Sequence, residues 1–306
     1  MAQRTHRTDT GFFIAVVVII IGGFIWASQY RSSTGSALLN PDTTSSAKPV
    51  TSQSTAPANV TWNGELILVR ENTVIARKSD GSERMIYTAA SGATINRATA
   101  PASGTIFIEL ATGTASQVVS VKLVDGTVAD SRAPNLATAW PRPTGGSYAN
   151  VVSSNAERDF GSTVNLVDGN STTKMVQSPS SISALAWRTD GEVLAITNQT
   201  SLIIVTLVAG DTQTVTLPAP AASLSWRGSD IIVLTPVGPY ILAGGSQELI
   251  KLNLEFTVGH DLVALTDQQY AWLTSATGDG QLQVQTIGQS AVSLQATAKN
   301  VLGLAN

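Results

Sequence analysis

The chain has 306 residues, with 18 Lys or Arg against 21 Asp or Glu, for a formal net charge of -3. Only 13% of the residues are charged, and the sequence has no broad basic field, so we expect no nucleic-acid partner. Cysteine is absent, which excludes disulfides, thiolate metal sites, cysteine nucleophiles and an acylated lipoprotein anchor.

A long apolar segment follows a polar tail at residues 1–10, which we assign to the cytoplasm. Residues 11–26 have the sequence GFFIAVVVIIIGGFIW, with no charged side chain. The segment 11–29 reaches the roughly 17–25 residues that span a bilayer core, and the arginines before it favour a cytoplasmic N-terminus. We therefore predict a single transmembrane helix over 11–29, which anchors an extracytoplasmic domain in the plasma membrane. A cleaved signal peptide is the alternative, although residues 25–27 lack the small residues of a cleavage site.

Residues 30–58 are rich in Ser, Thr, Ala and Pro and have no apolar periodicity. Such a segment buries too little apolar surface to offset the entropy lost on ordering. We predict a disordered stalk that holds the following domain on the order of 30 Å from the membrane.

Residues 59–306 contain an internal repeat. Trp187, Trp226 and Leu265 follow one another at steps of 39 residues. Each comes near the end of a short strand that is followed by a polar turn and an apolar strand. Trp140 precedes them by 47 residues, and residues 62–69 give a first copy.

A second marker gives the same number of repeats. Small-residue turns between alternating apolar runs predict tight hairpins, because such turns need positive φ. They occur at Asp80-Gly81, Asp125-Gly126, Asp168-Gly169, Gly210-Asp211, Gly244-Gly245 and Gly288. Four short strands in about 41 residues are typical of a propeller blade. We predict an all-β, six-bladed β-propeller over 59–306, closed by residues 300–306 or by the strand around Val60; a β-sandwich is the rival architecture.

The repeats resemble those of known propeller families. Residues 185–196, LAWRTDGEVLAI, resemble the core of TolB-type and WD40-like repeats. Leu224-Ser-Trp226 and its following apolar strand resemble the propellers of LpqB-like actinobacterial envelope lipoproteins. The resemblance covers two blades and departs from the usual Ser-Pro at Arg188-Thr189. It implies a propeller fold and an envelope role, but its shared motif is structural and transfers no functional residue.

No residue is predicted to be catalytic, to bind a cofactor or to bind a metal. His260 is isolated from any second ligand or triad partner in the sequence, so a structural role is favoured. The aspartates of the Asp-Gly turns are single donors, whereas a calcium loop needs several. Residues 157–159, Glu-Arg-Asp, are expected to form a solvated loop.

Two features remain as candidates for recognition. Trp140, Trp187 and Trp226 are interpreted as packing between blades rather than as a ligand platform. The Pro- and Gly-rich stretch 141–146 interrupts the third blade, and extended propeller loops often carry binding residues.

Two functions are compatible with the sequence. We favour a non-catalytic module that binds an envelope protein or polymer and scaffolds a complex. The alternative is a propeller hydrolase or lactonase with a metal in the channel. That enzyme would need several Asp, Glu, Asn or His residues converging on the axis, and no such set is visible.

Overall fold

The computed structural model describes residues 60–153, 161–256, 259–275 and 278–305. The predicted tail, transmembrane helix and stalk, at 1–10, 11–29 and 30–58, lie outside these residues, as do residues 157–159. Among the residues described, no helix combines the length and apolarity needed to cross a membrane. Membrane anchoring therefore stays a prediction.

The described residues form 24 β-strands. In chain order they are β1 (Glu65–Arg70), β2 (Thr73–Arg77), β3 (Glu83–Thr88), β4 (Ala93–Ala98), β5 (Thr105–Thr112), β6 (Ala115–Lys122), β7 (Val128–Asp130), β8 (Ala139–Pro141), β9 (Tyr148–Ser153), β10 (Ser162–Asp168), β11 (Ser171–Ser178), β12 (Ala184–Trp187), β13 (Val193–Thr197), β14 (Ser201–Thr206), β15 (Thr212–Thr216), β16 (Ser223–Arg227), β17 (Asp230–Thr235), β18 (Gly238–Leu242), β19 (Leu249–Lys251), β20 (His260–Ala264), β21 (Gln269–Leu273), β22 (Gly280–Thr286), β23 (Val292–Ala298) and β24 (Asn300–Ala305).

These strands build six antiparallel sheets of four strands each, which are the blades. From the innermost strand outward, blade 1 is β24-β1-β2-β3, blade 2 is β4 to β7, blade 3 is β8 to β11, blade 4 is β12 to β15, blade 5 is β16 to β19 and blade 6 is β20 to β23. The predicted all-β, six-bladed propeller is confirmed.

The burial of each strand follows its place in the blade. The second strand of blade 4, β13, has the sequence VLAIT, and all five of its residues are buried. Such a continuous apolar run is typical of a strand covered on both faces. The outermost strand of blade 6, β23, instead alternates buried and exposed residues, because only one of its faces meets a neighbour.

The last strand closes the ring. β24 pairs antiparallel with β1, from Glu65↔Ala305 to Val69↔Asn300. The expectation that the C-terminal residues pair with the first blade is thereby confirmed. The first blade thus takes its innermost strand from one end of the domain and its other three from the opposite end.

All six small-residue turns lie where predicted, between the third and fourth strands of their blades. The turn at Gly126 shows why glycine is required. Its φ is +72°, and a Cβ at this position would clash with the carbonyl oxygen of Ile86 in blade 1. The turn of blade 2 therefore packs directly on the outer strand of blade 1.

The hydrophobic core is divided into six clusters, one at each junction between neighbouring blades. At the junction of blades 4 and 5, for example, Ala195 and Leu202 meet Ile231 and Val233. Burial between blades rather than within one blade therefore holds the ring together. The smallest cluster joins blades 2 and 3 and contains Val118, Ala133, Leu136 and Ala139.

Candidate functional site

The six innermost strands, β4, β8, β12, β16, β20 and β24, surround a central channel. Neighbouring inner strands run in the same direction, as β20 and β24 show. His260 Nε2 lies 3.0 Å from the Lys299 carbonyl oxygen, and Asp261, one residue on, accepts from Asn300 Nδ2 at 2.9 Å, so a step forward along one strand is matched by a step forward along the other. Between β16 and β20, Ser225 Oγ donates to the Leu262 carbonyl at 2.8 Å. Each inner strand pairs with one neighbour only, so its other edge faces the channel.

The channel has a volume of about 800 Å³, within the range of about 300–1,000 Å³ that is usual for ligand sites. Its lining is mostly small and neutral. Among the small side chains that line it are Ala98, Ala184, Ala186, Ser223, Ser225 and Ala264.

The repeated tryptophans serve two purposes. Trp187 Nε1 donates to the carbonyl of Trp140 at 3.0 Å, and Trp226 Nε1 donates to the carbonyl of Ala186 at 3.0 Å. Each indole thus ties its blade to the preceding one and packs in a cluster between blades. The same three tryptophans are half-buried and line the channel. Packing between blades, as the sequence suggests, is only part of their role.

Four charged residues line the channel, namely Arg97, Arg227, Asp261 and Asp267. Arg227 Nη2 bonds Asp230 at 2.7 Å, and its Nη1 donates to the Asp267 carbonyl and the Tyr270 hydroxyl. Asp261 is held by neighbours on β24, as described below. Arg97, on β4, is exposed and makes no hydrogen bond or ion pair with the described parts of the chain.

His260 and Asp261 contact the closing strand β24 and the residue before it through polar atoms. The His260 ring nitrogens lie 2.6 Å from the Ser275 carbonyl oxygen and 3.0 Å from that of Lys299. Asp261 Oδ2 accepts from Asn300 Nδ2 and from the backbone N–H of Val301. Burial raises the pKa of Asp261, and the hydrogen bond from Asn300 offsets only part of that rise.

Both Arg97 and Asp261 lie at irregularities of an inner strand. The β4–β5 register shifts between Ile95 and Arg97, and the β20–β21 register shifts between His260 and Val263. Asp261 also has a φ of +57°, which non-glycine residues seldom adopt. Because a bulge re-aims the side chains beside it, these two irregularities bring charged groups to the channel.

One mouth of the channel is crossed by residues 99–104, which join β4 to β5 and which we name the strap. Pro101 packs on Gly303 of β24, where a Cβ would lie 3.1 Å from Pro101 Cδ. Ser103 Oγ donates to the Thr189 carbonyl of blade 4 at 3.2 Å. Blades 1 and 4 are three positions apart in a ring of six and therefore face each other. A segment of blade 2 that touches both must pass over the channel mouth.

The loop at 141–146 lies at the same mouth. Arg142 Nε donates to the Gly191 carbonyl at 2.7 Å, and Thr144 Oγ1 donates to the Asp190 carbonyl at 3.3 Å. The loop is thus fixed to the first turn of blade 4, while Pro141 and Pro143 line the channel.

The remaining sequence candidates lie in the turns. Asp80 Oδ1 accepts from the Ser82 backbone N–H, and Asp125 Oδ1 accepts from that of Thr127. Both carboxylates therefore stabilise their own turns. Within the described ranges, no group of three or more His, Asp or Glu residues is placed to hold a metal ion.

Sequence reasoning missed Arg97, Asp261 and the strap as features of the channel. Neither charged residue occupies a repeated position, and a bulge has no signature in a single sequence. The strap sequence Ala100-Pro-Ala-Ser-Gly104 gives no sign that this segment would cross the axis.

Comparison with known proteins supports the fold. No family model matches the sequence, and no curated protein matches it. Among solved structures, the crystal structure of TolB from Acinetobacter baumannii is similar, with a TM-score of 0.53 and 14% identity over 79% of this chain. This chain covers 66% of that TolB chain, just under two thirds of its length. A chain of the nidogen/laminin complex also has a TM-score of 0.53, at 6% identity, over 79% of this chain and 97% of its own length.

Proposed function

We propose that this protein is a membrane-tethered, extracytoplasmic binding module that holds a protein or another ligand of the cell envelope in the channel of its propeller, as part of a scaffold. The observation that carries the proposal is the channel itself. It is large enough for a ligand, it is lined by small neutral residues and three indoles, and it is bordered by six free strand edges. Indole faces and strand edges are common means of recognising polypeptides.

The cellular location is supported by sequence. The apolar segment 11–29 and the stalk 30–58 would place the propeller outside the cytoplasm, and the TolB-type repeat resemblance and the TolB-like fold agree with an envelope role. The described propeller begins at Val60, on the side where the first and second strands of each blade are joined, because Glu65 pairs with Ala305 at the end of β24.

The binding role is tested by site-specific crosslinking in cells. A photo-reactive phenylalanine analogue replaces Ala264, which lines the channel, or Ala209, which is exposed in the turn between β14 and β15. We expect an adduct of defined mass from position 264 and none from position 209. Equal labelling from both positions, or none from position 264, would argue against the channel as the binding site.

The tether is tested separately by fractionation. We expect the full chain in the membrane fraction, with the propeller digested by protease added outside intact cells. A variant that lacks residues 11–29 should remain in the soluble fraction. Recovery of the full chain as a soluble protein would show that the tether is wrong while leaving the channel proposal open.

A further inference from the structure

The strap lies across one mouth of the channel. The strap is a short hairpin, held by hydrogen bonds between Ala102 and Thr105 in both directions at 2.9 Å and from Thr99 N to the Phe107 carbonyl at 2.9 Å. Thr99 to Ala102 themselves line the channel. Asn63, from the segment that leads into β1, lines the channel near this mouth as well.

A ligand that enters from the mouth opposite the strap meets the strap at the far end. A polypeptide threaded through the channel as a continuous loop would have to displace Pro101 from Gly303 and Ser103 from Thr189. A chain end has no such requirement, because it can stop against the strap.

The charge near the strap indicates which chain end fits. Arg97 comes two residues before the strap begins, and it is the one charged channel residue without a hydrogen bond or ion pair to the described residues. The other cation of the lining, Arg227, is already paired with Asp230. A free guanidinium attracts a carboxylate and can hold it through two parallel hydrogen bonds. It repels an amino terminus.

We propose that the channel takes the C-terminal end of an extended polypeptide, with the terminal carboxylate bound by Arg97 in front of the strap. The proposal rests on the proposed function, since it specifies what the channel binds. Backbone groups along the inner strand edges would pair with the extended segment, and the indoles of Trp140 and Trp187 would cover its side chains. The bulge at Ile95–Arg97 turns Arg97 out of the regular register.

The test uses the full chain and a random octapeptide library displayed with free carboxyl ends. A selected peptide is then synthesised as the free acid, as the C-terminal amide and with two added C-terminal glycines. Affinities are measured by fluorescence anisotropy. We expect the acid to bind roughly tenfold to a hundredfold more tightly than the amide, because one charge-assisted interaction is lost. We expect the extended peptide to bind more weakly than the original because the strap stops it.

Two substitutions link the effect to the site. Arg97→Met should abolish the preference for the acid over the amide. Arg132→Met is the matched control, because Arg132 is also exposed and lies outside the channel lining. It should retain the full preference.

Each other outcome counts against the proposal. Equal binding of acid and amide to the unmodified protein would overturn it, and so would a library that yields no peptide. If crosslinks still form at position 264 in either case, the binding role stands and only the C-terminal specificity is wrong. If they do not, the binding role has failed first.

Discussion

Blades 4 and 5 differ from blades 6, 1 and 2 in the regularity of their inner strands. In blades 4 and 5, β12 and β16 pair with their neighbours without any shift of register. Both strands end near a tryptophan whose indole bonds the preceding blade. These are the blades whose sequences repeat most clearly, so regular packing and a recognisable repeat go together.

In blades 6, 1 and 2, every innermost pair of strands contains a register shift. Polar groups that hold the closing strand or reach the channel lie at these shifts: His260 and Asp261 on blade 6, Lys299 and Asn300 at β24, and Arg97 on blade 2. The repeated sequence of blades 4 and 5 thus provides packing between blades. The departures from it close the ring and bring Arg97 and Asp261 to the channel, whereas Arg227 reaches it from the regular strand β16.

The largest expected effect comes from removing the closure. Deleting residues 299–306 takes away β24, which contributes Val301 and Leu302 to the two clusters that flank blade 1. It also exposes the edge of β1. We expect the cooperative unfolding transition to be lost in calorimetry.

Deletion of Asn306 alone is the control and should leave the transition intact. A truncated chain with an unchanged transition would show that the ring does not depend on its closing strand.

Blade 1, which contains the closing strand β24, also depends on an ionic cluster. Glu83 accepts from Arg70 at 2.6 and 2.7 Å and from Arg77 at 2.5 Å, and Arg77 is only 1% exposed. Burial raises the pKa of Glu83, but hydrogen bonds and charge from Arg70 and Arg77 outweigh it and lower the pKa below its usual value. The stabilisation from this carboxylate is therefore present at neutral pH and is lost as the pH falls through its folded pKa.

Glu83→Gln should lower the free energy of unfolding by about 3–5 kcal/mol, because Arg77 is left buried without a counter-charge. Urea denaturation at neutral pH measures the loss. The exposed Glu248 provides the control, since Glu248→Gln should change the stability by less than about 0.5 kcal/mol. A similar small effect at Glu83 would mean that the cluster does not stabilise blade 1.

Much of the fold could be predicted from the sequence, because propeller packing recurs from blade to blade. The Trp187–Trp226–Leu265 spacing and the six small-residue turns identify strands and blades. For the closing strand the sequence left a choice between residues 300–306 and the strand around Val60, and the structure selects the former. The channel chemistry could not be predicted in this way. Arg97 and Asp261 depend on single bulges, and the strap depends on a contact between blades 2 and 4, neither of which recurs along the chain.

A smaller effect is expected from the indole hydrogen bonds that join the regular blades 4 and 5 to their preceding blades. Trp187→Phe and Trp226→Phe each remove a donor to the neighbouring blade, and we expect each to cost about 1–2 kcal/mol. Trp62 precedes β1 and packs between blades 6 and 1, and its buried Nε1 has no partner in the described part of the chain. Trp62→Phe should therefore cost less than either, despite a similar loss of volume. Thermal denaturation of the three variants ranks them, and equal losses would show that the indole bonds contribute nothing beyond packing.

The smallest expected effect concerns Asp261 and appears only as a dependence on pH. Because burial raises its pKa in the folded chain, the folded state binds this proton more tightly than the unfolded state does. The residue therefore stabilises the fold at acidic pH, and that stabilisation is lost as the pH rises through the raised pKa. His260 lies 3.6 Å away and opposes the shift.

Asp261→Asn cannot titrate, so the stability of this variant relative to the unmodified chain should rise as the pH increases above the usual pKa of an aspartate and through the raised pKa of Asp261. Urea denaturation at a series of pH values measures the rise. Asp80→Asn serves as a control of opposite sign, since hydrogen bonds from Ser82 hold the pKa of Asp80 below its usual value. Its relative stability should fall as the pH rises from acid. If the relative stabilities of the two variants changed with pH in the same direction, the contact of Asp261 with β24 would not be sensitive to protonation. The irregular blades would then differ from blades 4 and 5 in geometry alone.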